Sequence, residues 1–305
     1  MPSSIDLTPA QRSYPLHLIK SQLFVKGRPP PKDLDLTGQT GIVTGSNTGL
    51  GLECARILLD HQLSRIILAV RSTQKGNAAA AELRKKHPSS KIEIWSLDML
   101  GYPSIRAFVQ RCATLERIDF VILNAGLVQT EFRTHEATGH EETFQVNYLS
   151  TALLTLLLLP VLKENRPKEQ PSRITLVSSS LANVAKFAEQ AAEPLIPAFD
   201  DPKGWNFAAA SDRYSTSKLL GHMFVVKLKD FVIADDVVVN LVEPGFIRAT
   251  GLDRSVPALV QPVLGVSRLL LGRTVKFGAW TYIDAAVLKG KETHGSVLDD
   301  WNIVP

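Results

Sequence analysis

The chain has 305 residues, of which 45% are apolar and 21% are charged, a composition typical of a globular domain and unlike that of a small disulfide scaffold. Its 34 Lys and Arg residues against 30 Asp and Glu residues give a formal charge of +4, and no recognition motif accompanies this small excess, so nucleic-acid binding is not expected. Cys54 and Cys112 are the only cysteines. They indicate a reducing compartment, the cytoplasm, and argue against disulfides and a structural zinc site.

The first 35 residues are rich in proline and are predicted to form an irregular arm ahead of a folded domain over residues 36–305. Their beginning lacks the uninterrupted apolar run of a secretory signal. Within the arm, residues 17–25 are apolar enough to lie on a membrane surface, although an amphipathic segment packed on its own domain is favoured.

Beyond Leu36, short β-branched runs alternate with longer helical patterns. Strands are predicted at residues 40–44, 65–70, 92–97, 120–123, 174–177 and 237–242. Helices are predicted at residues 49–62, 76–86, 102–115, 141–162 and 213–230. The alternation predicts right-handed βαβ crossovers. The expected architecture is α/β, a single doubly wound parallel sheet (Rossmann fold) with helices on both faces.

Three further stretches stand out along the chain. Residues 151–162 are strongly apolar, but they are fewer than the ~18 residues of a membrane span and include Pro160, so a buried helix and no transmembrane span are predicted. Residues 182–212 and 250–272 interrupt the alternation. Both follow the carboxyl ends of strands, where such folds bind ligands, and they are predicted to be substrate loops.

A glycine-rich turn follows the first predicted strand and leads into an amphipathic helix. Such a turn lets the backbone approach a pyrophosphate, whose charge is stabilised by the N–H groups and dipole at the helix start. A dinucleotide site is therefore predicted. Its contacts are assigned to Gly45, Ser46, Asn47, Gly49, Leu50 and Gly51.

The end of the second strand indicates which dinucleotide binds. A carboxylate there would accept hydrogen bonds from the ribose of NAD, whereas this chain has Arg71 and no acid. A guanidinium suits a 2′-phosphate, so NADP is predicted, although Arg71 could also be a solvated strand end. Lys75 is a weaker second contact. Asp98, after the third strand, is either an acceptor for the adenine amino group or a cap for the next helix.

Four more motifs follow in chain order: Asn124-Ala125-Gly126, Ser178-Ser179, Tyr214-Ser215-Thr216-Ser217-Lys218 and Pro244-Gly245. Together with the glycine-rich turn they resemble the short-chain dehydrogenase/reductase family over about residues 36–300. Within that family the chain is most similar to the retinol-dehydrogenase-like group and its fungal relatives. That closer likeness rests on Ser46-Asn47-Thr48, Val70-Arg71-Ser72, the long gap before Tyr214, Gly278-Ala279-Trp280-Thr281 and His294-Gly295.

The residues Tyr214 and Lys218 carry a chemical argument of their own. Their i, i+4 spacing places both side chains on one face of a helix. A free tyrosine has a pKa near ~10, and a neighbouring ammonium stabilises the phenolate and lowers that pKa. Tyr214 is therefore predicted to donate a proton to a carbonyl or to accept one from an alcohol. The resemblance implies that Lys218 also holds the nicotinamide ribose.

The remaining site residues complete this chemistry. Ser179 is predicted to hydrogen-bond the substrate oxygen, with a register uncertain by one residue between Ser178 and Ser180. The resemblance implies that Asn147 holds a water behind Lys218, unless it bonds within its own helix. It also implies further cofactor contacts, from Asn124, Ala125 and Gly126 at the adenine side and from Pro244, Gly245 and Ile247 at the nicotinamide carboxamide. The carboxamide contact is in doubt, because Ala249 stands where the family often has Thr.

These residues predict an NADP-dependent oxidoreductase that interconverts an alcohol and a carbonyl without a metal. Two other functions stay open: a non-redox cyclase, isomerase or epimerase on the same fold, and an NADP-sensing binding protein. The resemblance also implies a homodimer that associates through the helices around Asn147 and Tyr214.

The two predicted substrate loops indicate the size of the substrate. Long irregular segments are uncommon unless they are functional, and these two are rich in apolar residues. The residues are Phe187, Leu195, Ile196, Phe199, Trp205 and Phe207 in the first loop, and Val256, Leu259, Val260, Val263, Leu264 and Leu269 in the second. They predict an apolar cleft for a bulky lipophilic substrate of secondary metabolism, unless they cover the core or form a subunit contact.

Overall fold

The computed structural model describes residue 7, residues 14–248 and residues 261–304. One sheet has the strand order β3-β2-β1-β4-β5-β6-β7-β8. Its strands are β1 (Thr40–Thr44), β2 (Arg65–Val70), β3 (Lys91–Ser96), β4 (Phe120–Leu123), β5 (Ser172–Val177), β6 (Val237–Glu243), β7 (Val297–Asp299) and β8 (Asn302–Val304). Neighbouring strands are parallel except β7 and β8, which pair antiparallel. The predicted α/β fold is confirmed, and the two short C-terminal strands are an addition to it.

The helices connect the strands and extend the chain at both ends. They are α1 (Tyr14–Phe24), α2 (Gly49–Asp60), α3 (Thr73–Lys86), α4 (Tyr102–Cys112), α5 (Glu142–Phe144), α6 (Thr151–Glu164), α7 (Leu195–Ala198), α8 (Phe207–Leu228), α9 (Gln261–Leu271) and α10 (Val275–Ile283). A π-helical turn, Gln145–Ser150, joins α5 to α6, and a 3-10 turn, Ser180–Val184, follows β5.

The core forms one apolar layer on each face of the sheet, because side chains alternate along every strand. Ile42 of β1 belongs to the layer that contains α4, α6 and α8. Its neighbour Val43 belongs to the layer that contains α2, α3 and α10. Both faces of the central strands are therefore buried, as their continuous apolar sequences predict.

The helical rod Glu142–Glu164 is long and apolar enough to cross a membrane, but half of its apolar window is buried. Leu154, Leu158 and Leu162 are fully buried in the layer that covers one face of the sheet. The rod is therefore a core helix, as the sequence predicts for residues 151–162.

Three predicted segments differ from the structure. The arm over residues 1–35 is not irregular throughout, since α1 forms a helix within it. The second irregular stretch, residues 250–272, contains α9, while residues 249–260 lie outside the described part of the chain. The helix predicted to begin at residue 213 begins at Phe207, where the Asn206 side chain accepts a hydrogen bond from the N–H of Ala209.

Candidate active site

Two glycines with positive φ shape the turn between β1 and α2. Gly45 has a φ of +64° and Gly49 a φ of +59°, which side-chain-bearing residues rarely adopt. A Cβ at Gly51 would lie 2.7 Å from Nδ2 of Asn124 and 3.0 Å from the carbonyl oxygen of Gly45. The turn therefore has room for backbone only, which is the cradle that a pyrophosphate requires.

The start of α2 offers its N–H groups to such a ligand. Thr48 stands at the N-cap without a side-chain hydrogen bond to the helix, so the first N–H groups of α2 lack a side-chain cap. Ser46 is fully buried and its hydroxyl donates to the carbonyl oxygen of Val43 at 2.8 Å, so only its backbone remains for a cofactor. Asn47 and Leu50 are partly exposed in the same turn.

The motif after β4 fixes the turn from the neighbouring strand. The Asn124 amide donates to the carbonyl oxygens of Thr44 and Gly45, at 2.9 and 3.2 Å, and its oxygen accepts a hydrogen bond from the Tyr282 hydroxyl. The N–H of Ala125 donates to the Thr44 hydroxyl at 2.9 Å. These contacts hold the glycine-rich turn in place.

Three predicted contacts to the adenosine half lie along the tips of β2 and β3. Arg71 is exposed directly after β2 and, within the described residues, has no hydrogen-bond or ion-pair partner. Lys75 is exposed in the first turn of α3, which Ser72 caps. Asp98 accepts a hydrogen bond from the N–H of Leu100 at 3.0 Å, so its carboxylate already stabilises the turn before α4.

Tyr214 and Lys218 lie one turn apart on α8, and Nζ of Lys218 is 5.7 Å from the centre of the Tyr214 ring. The Lys218 ammonium donates to the carbonyl oxygen of Val177, the last residue of β5, at 2.9 Å. Burial lowers the pKa of Lys218 to about 8. At neutral pH the amine therefore keeps most of its positive charge beside the phenol.

Asn147 lies in the π-helical turn, a local irregularity that often marks functional sites. Its oxygen accepts from the N–H of Leu127, and its amide donates to the Leu127 carbonyl and to the Ser217 hydroxyl. The side chain thus bonds between elements rather than within its own helix. Asn147 and Lys218 also line a cavity of about 20 Å³, enough for one water molecule.

The three serines after β5 have different partners. Ser178 is buried and its hydroxyl lies 2.5 Å from Nε2 of His222. The Ser180 hydroxyl lies 3.2 Å from the Tyr14 hydroxyl of α1. Ser179 accepts only a weak hydrogen bond, 3.3 Å long, from the N–H of Leu181. Of the three, Ser179 is the serine whose hydroxyl is paired with no other side chain of the described chain.

Sequence reasoning missed His222, which continues the face of α8 that carries Tyr214 and Lys218. Burial, and then the charge of Lys218, lowers the pKa of His222 to about 4, so the imidazole is neutral at pH 7. Its Nε2 is also 3.7 Å from a carboxylate oxygen of Glu243 at the end of β6. Burial and the charges of Asp299 and Asp300 raise the pKa of Glu243. The i, i+4, i+8 spacing on α8 was the available signal.

The turn Pro244–Ile247 is held by residues that are distant in sequence. The Gln22 amide of α1, oriented to match its surroundings, donates to the carbonyl oxygens of Phe246 and Leu271 and accepts from the N–H of Phe246. A Cβ at Gly245, whose φ is +80°, would lie 2.7 Å from the Arg273 guanidinium. Arg273 in turn donates to the carbonyl oxygen of Ser21. No sequence motif indicated this role for α1.

The first predicted substrate loop is anchored by Arg213, the residue before Tyr214. The Arg213 guanidinium lies 3.3 Å from Glu141 and 2.9 Å from Glu189, and it donates to the carbonyl oxygen of Phe199. Arg213 and Glu141 are both buried. A charged pair buried within the protein therefore ties the loop to α5 and α8.

The apolar residues predicted to line the cleft divide into two groups. Phe199 is fully buried and stacks on Phe144 at 4.0 Å, with Phe187 and Leu195 packed around the pair. Phe187, Leu195 and Phe199 therefore belong to a small apolar core and not to the predicted wall of the cleft. They pack there because stacking of the loop rings on Phe144 of α5 removes their apolar surface from water.

The other predicted cleft residues have different environments. The Trp205 indole donates to the carbonyl oxygen of Thr130. Ile196, Phe207 and Leu269 remain exposed. Val256, Leu259 and Val260, and the side chains of Val263 and Leu264, lie outside the described part of the chain, as do Ala249 and Thr250.

Comparison with known proteins assigns the family. The short chain dehydrogenase family model matches residues 39–192. The chain is 48% identical to the short chain dehydrogenase/reductase mfmJ of Annulohypoxylon moriforme, over 100% of this chain and 88% of that protein. It is 43% identical to the short chain dehydrogenase virL of Hypocrea virens, over 92% of this chain and 82% of that protein. The chain belongs to the short-chain dehydrogenase/reductase family. These relatives come from fungi and are not retinol dehydrogenases, so the predicted likeness is confirmed for the family and its fungal members but not for the retinol-dehydrogenase-like group.

Solved structures share the fold at low sequence identity. The short chain dehydrogenase from Shigella flexneri superimposes with a TM-score of 0.65 at 20% identity, over 90% of this chain and 94% of that one. The NADPH-bound short chain oxidoreductase from Pseudomonas aeruginosa PAO1 superimposes with a TM-score of 0.63 at 21% identity, over 87% of this chain and 96% of that one. Together with the family assignment and the glycine cradle, these findings define an NAD(P)-dependent oxidoreductase. The described residues contain no cluster of His, Cys, Asp and Glu that could hold a metal ion.

Proposed function

We propose that the protein uses NADP(H) to interconvert a carbonyl and an alcohol on a bulky lipophilic substrate, as a ketoreductase or dehydrogenase of secondary-metabolite biosynthesis. The observation that carries this proposal is the placement of Tyr214 and the buried amine of Lys218 on one face of α8, beside the serines that follow β5. When bound, the nicotinamide supplies or accepts the hydride.

Each residue of the site has a proposed role in moving the proton. Tyr214 donates the proton to the carbonyl oxygen, or accepts it from the alcohol, and the Lys218 charge stabilises the phenolate. Ser179 donates a hydrogen bond to the same substrate oxygen and holds it near Tyr214. Asn147 and Lys218 flank the water-sized cavity, from which a water can return the proton.

Preference for NADP over NAD rests on the tip of β2. Among the described residues, the Arg71 guanidinium has no hydrogen-bond or ion-pair partner, and no carboxylate stands at this strand end, where a ribose substituent of the cofactor would lie. A 2′-phosphate gains a charge-assisted contact with Arg71, and Lys75 adds a second positive charge nearby. The NADPH bound to the Pseudomonas aeruginosa relative supports the same choice.

The lipophilic substrate class rests on exposed apolar residues beside the proposed catalytic groups. Val184 ends the 3-10 turn after Ser179, and Phe207 lies seven residues before Tyr214, on the same face of α8. Both side chains are exposed, as is Ile196 in the loop between them. A bulky polyketide or terpenoid carbonyl would cover these side chains, whereas a short alcohol would leave them in water.

Substitution of Tyr214 by Phe tests the chemistry. The variant removes the hydroxyl and keeps the ring, so turnover of a polycyclic or isoprenoid ketone with NADPH is expected to fall at least ~100-fold while NADPH affinity stays unchanged. Full activity in Tyr214→Phe would rule out this proton donor. A panel of small aldehydes measured beside the large ketones tests the substrate class, and a higher kcat/KM for the small polar set would reject it.

A further inference from the structure

Helix α1 carries its apolar and polar residues on unexpected faces. Its most buried side chains are polar, Ser21 and Gln22, which contact Arg273 and Phe246. Its outward face carries four apolar residues at helical spacing. They are Leu16, Ile19, Leu23 and Phe24, which are 69%, 42%, 52% and 74% exposed. An apolar helix face that points away from its own domain indicates an interaction surface.

Helix α9 extends the same kind of surface. It contacts α1, and the Gln22 amide reaches the carbonyl oxygen of Leu271 at its end. Val266, Leu269 and Leu270 lie on one face of α9 and are 59%, 69% and 67% exposed. Two neighbouring helices therefore present seven exposed aliphatic or aromatic side chains. We call these seven residues the apolar platform.

The exposed charged side chains in the segment that carries α1 are basic, while Asp299 and Asp300, which lie against His17 and Arg273, are buried. Residues 14–32 contain Lys20, Lys26, Arg28 and Lys32 and no acidic residue. Residues 261–280 also contain no acidic residue; their Lys276 is exposed, whereas Arg273 is buried and lies 2.7 Å from the Asp300 carboxylate. Lys20 is exposed on the same face of α1 as Leu16, Leu23 and Phe24. Apolar side chains interleaved with basic ones are the pattern that binds the interface of an anionic lipid bilayer.

We propose that the apolar platform docks the enzyme on an anionic membrane surface. The platform side chains enter the boundary between headgroups and acyl chains, while Lys20 and Lys26 pair with the lipid phosphates and carboxylates. A second copy of this chain is a poorer occupant, because a two-fold contact would bring the exposed Lys20 and Lys26 against their own copies, and the sequences of α1 and α9 contain no acidic residue that could pair with them.

The position of the platform connects it to the site. Through Gln22, α1 holds the turn Pro244–Ile247, and through Tyr14 it contacts the serines after β5. A docked enzyme therefore has its reaction site beside the bilayer, from which a lipophilic molecule can enter without crossing water. The docking itself does not depend on the identity of the substrate.

Sedimentation with lipid vesicles tests this proposal on the full chain. The protein is expected to bind vesicles of phosphatidylcholine with phosphatidylserine, to bind pure phosphatidylcholine much less, and to dissociate as salt is added. The double variant Leu23→Ser with Phe24→Ser is expected to weaken binding at least ~10-fold, since two apolar side chains no longer insert. Lys20→Glu with Lys26→Glu is expected to weaken binding by a similar factor on anionic vesicles only.

A matched control lies before the amino end of β6, whereas α1 contacts the turn that follows its carboxyl end. Phe231 and Ile233, in the loop before β6, are 84% and 64% exposed, and Phe231→Ser with Ile233→Ser is expected to leave vesicle binding unchanged. NADPH affinity is measured for every variant, so that a folding defect is recognised without any substrate.

Three results would overturn the proposal. The first is equal binding to neutral and anionic vesicles, or binding to neither. The second is unchanged vesicle binding in the Leu23 and Phe24 variant with only a raised KM, which would make these residues a wall of the substrate cleft. The third is a dimer that dissociates in that variant, which would make the platform a contact between two copies.

Discussion

The cofactor half and the substrate half of this molecule stabilise the turns around their sites in different ways. In the cofactor half, β1 to β4 with α2 to α4, the glycine-rich turn is fixed mainly by hydrogen bonds between backbone groups and the side chains of Asn124, Ser46 and Thr44. In the substrate half, β5 to β8 with α1, α8 and α9, side chains that are far apart in sequence fix the turns. Gln22 contacts Phe246, and Arg273 reaches back 252 residues to Ser21.

This difference means that the two halves tolerate change differently. A cofactor site built from backbone depends on the strand order and on a few glycines, so it stays the same while surrounding side chains vary. A substrate site built from buried side-chain pairs depends on both members of every pair. Substitutions in the substrate half are therefore expected to affect stability and binding together.

The largest effect is expected for Arg213→Met in the substrate half. The change leaves the buried Glu141 carboxylate without its cation. Burial raises the pKa of this carboxyl, and the positive charge of Arg213 opposes that rise. The free energy of unfolding is expected to fall by ~3–5 kcal/mol, with faster proteolysis between residues 185 and 206. Chemical denaturation measures the loss. Arg133→Met, which breaks an exposed pair with Glu131, is the control and should leave the free energy of unfolding nearly unchanged.

A smaller effect, with a defined pH dependence, is expected for Lys218→Met. Burial lowers the pKa of Lys218 from 10.5 to about 8, so between these values the unfolded chain binds a proton that the folded protein has lost. Stability of the wild type therefore rises with pH across this window, and the cost of burying the charge, ~3 kcal/mol, is complete below about pH 8.

Methionine removes that cost and abolishes turnover. Lys218→Met is expected to be more stable than the wild type by up to ~3 kcal/mol at pH 7, with a difference that shrinks toward pH 10. Denaturant titrations at the two pH values measure this difference. A stability difference that is the same at both would show that the Lys218 amine is not desolvated in the folded protein.

In the cofactor half, Arg71→Asp is expected to change binding without changing stability. Arg71 is exposed and the change removes a charge-assisted contact worth ~1.5–3 kcal/mol while adding a carboxylate that accepts from a ribose hydroxyl. The preference for NADPH over NADH should therefore reverse. Fluorescence titration with both cofactors measures it, and equal constants in the wild type would contradict the assignment of Arg71.

The extent of sequence prediction follows the same division. Strands β1, β2 and β4 have the predicted bounds, since a buried parallel strand is a continuous apolar run between turn residues. Strands β7 and β8 were not predicted, because three residues each are too few for a pattern. Tyr214 and Lys218 lie on one helix and were recognised by their spacing. Arg213 acts on Glu141, 72 residues away, and no local pattern marks such a pair.

The smallest effect is expected for Gln22→Leu, which tests whether α1 belongs to the site. The leucine keeps the volume of the side chain but loses the hydrogen bonds to both backbone groups of Phe246. Each lost bond costs ~1 kcal/mol, part of which the turn recovers from water, so the free energy of unfolding is expected to fall by ~1 kcal/mol and NADPH affinity to fall ~5-fold. Gln110→Leu, an exposed glutamine of α4, is the control. Cofactor affinity equal to that of the wild type would show that the turn Pro244–Ile247 keeps its shape without the Gln22 hydrogen bonds. In that case α1 would contribute to the apolar platform and not to the cofactor site.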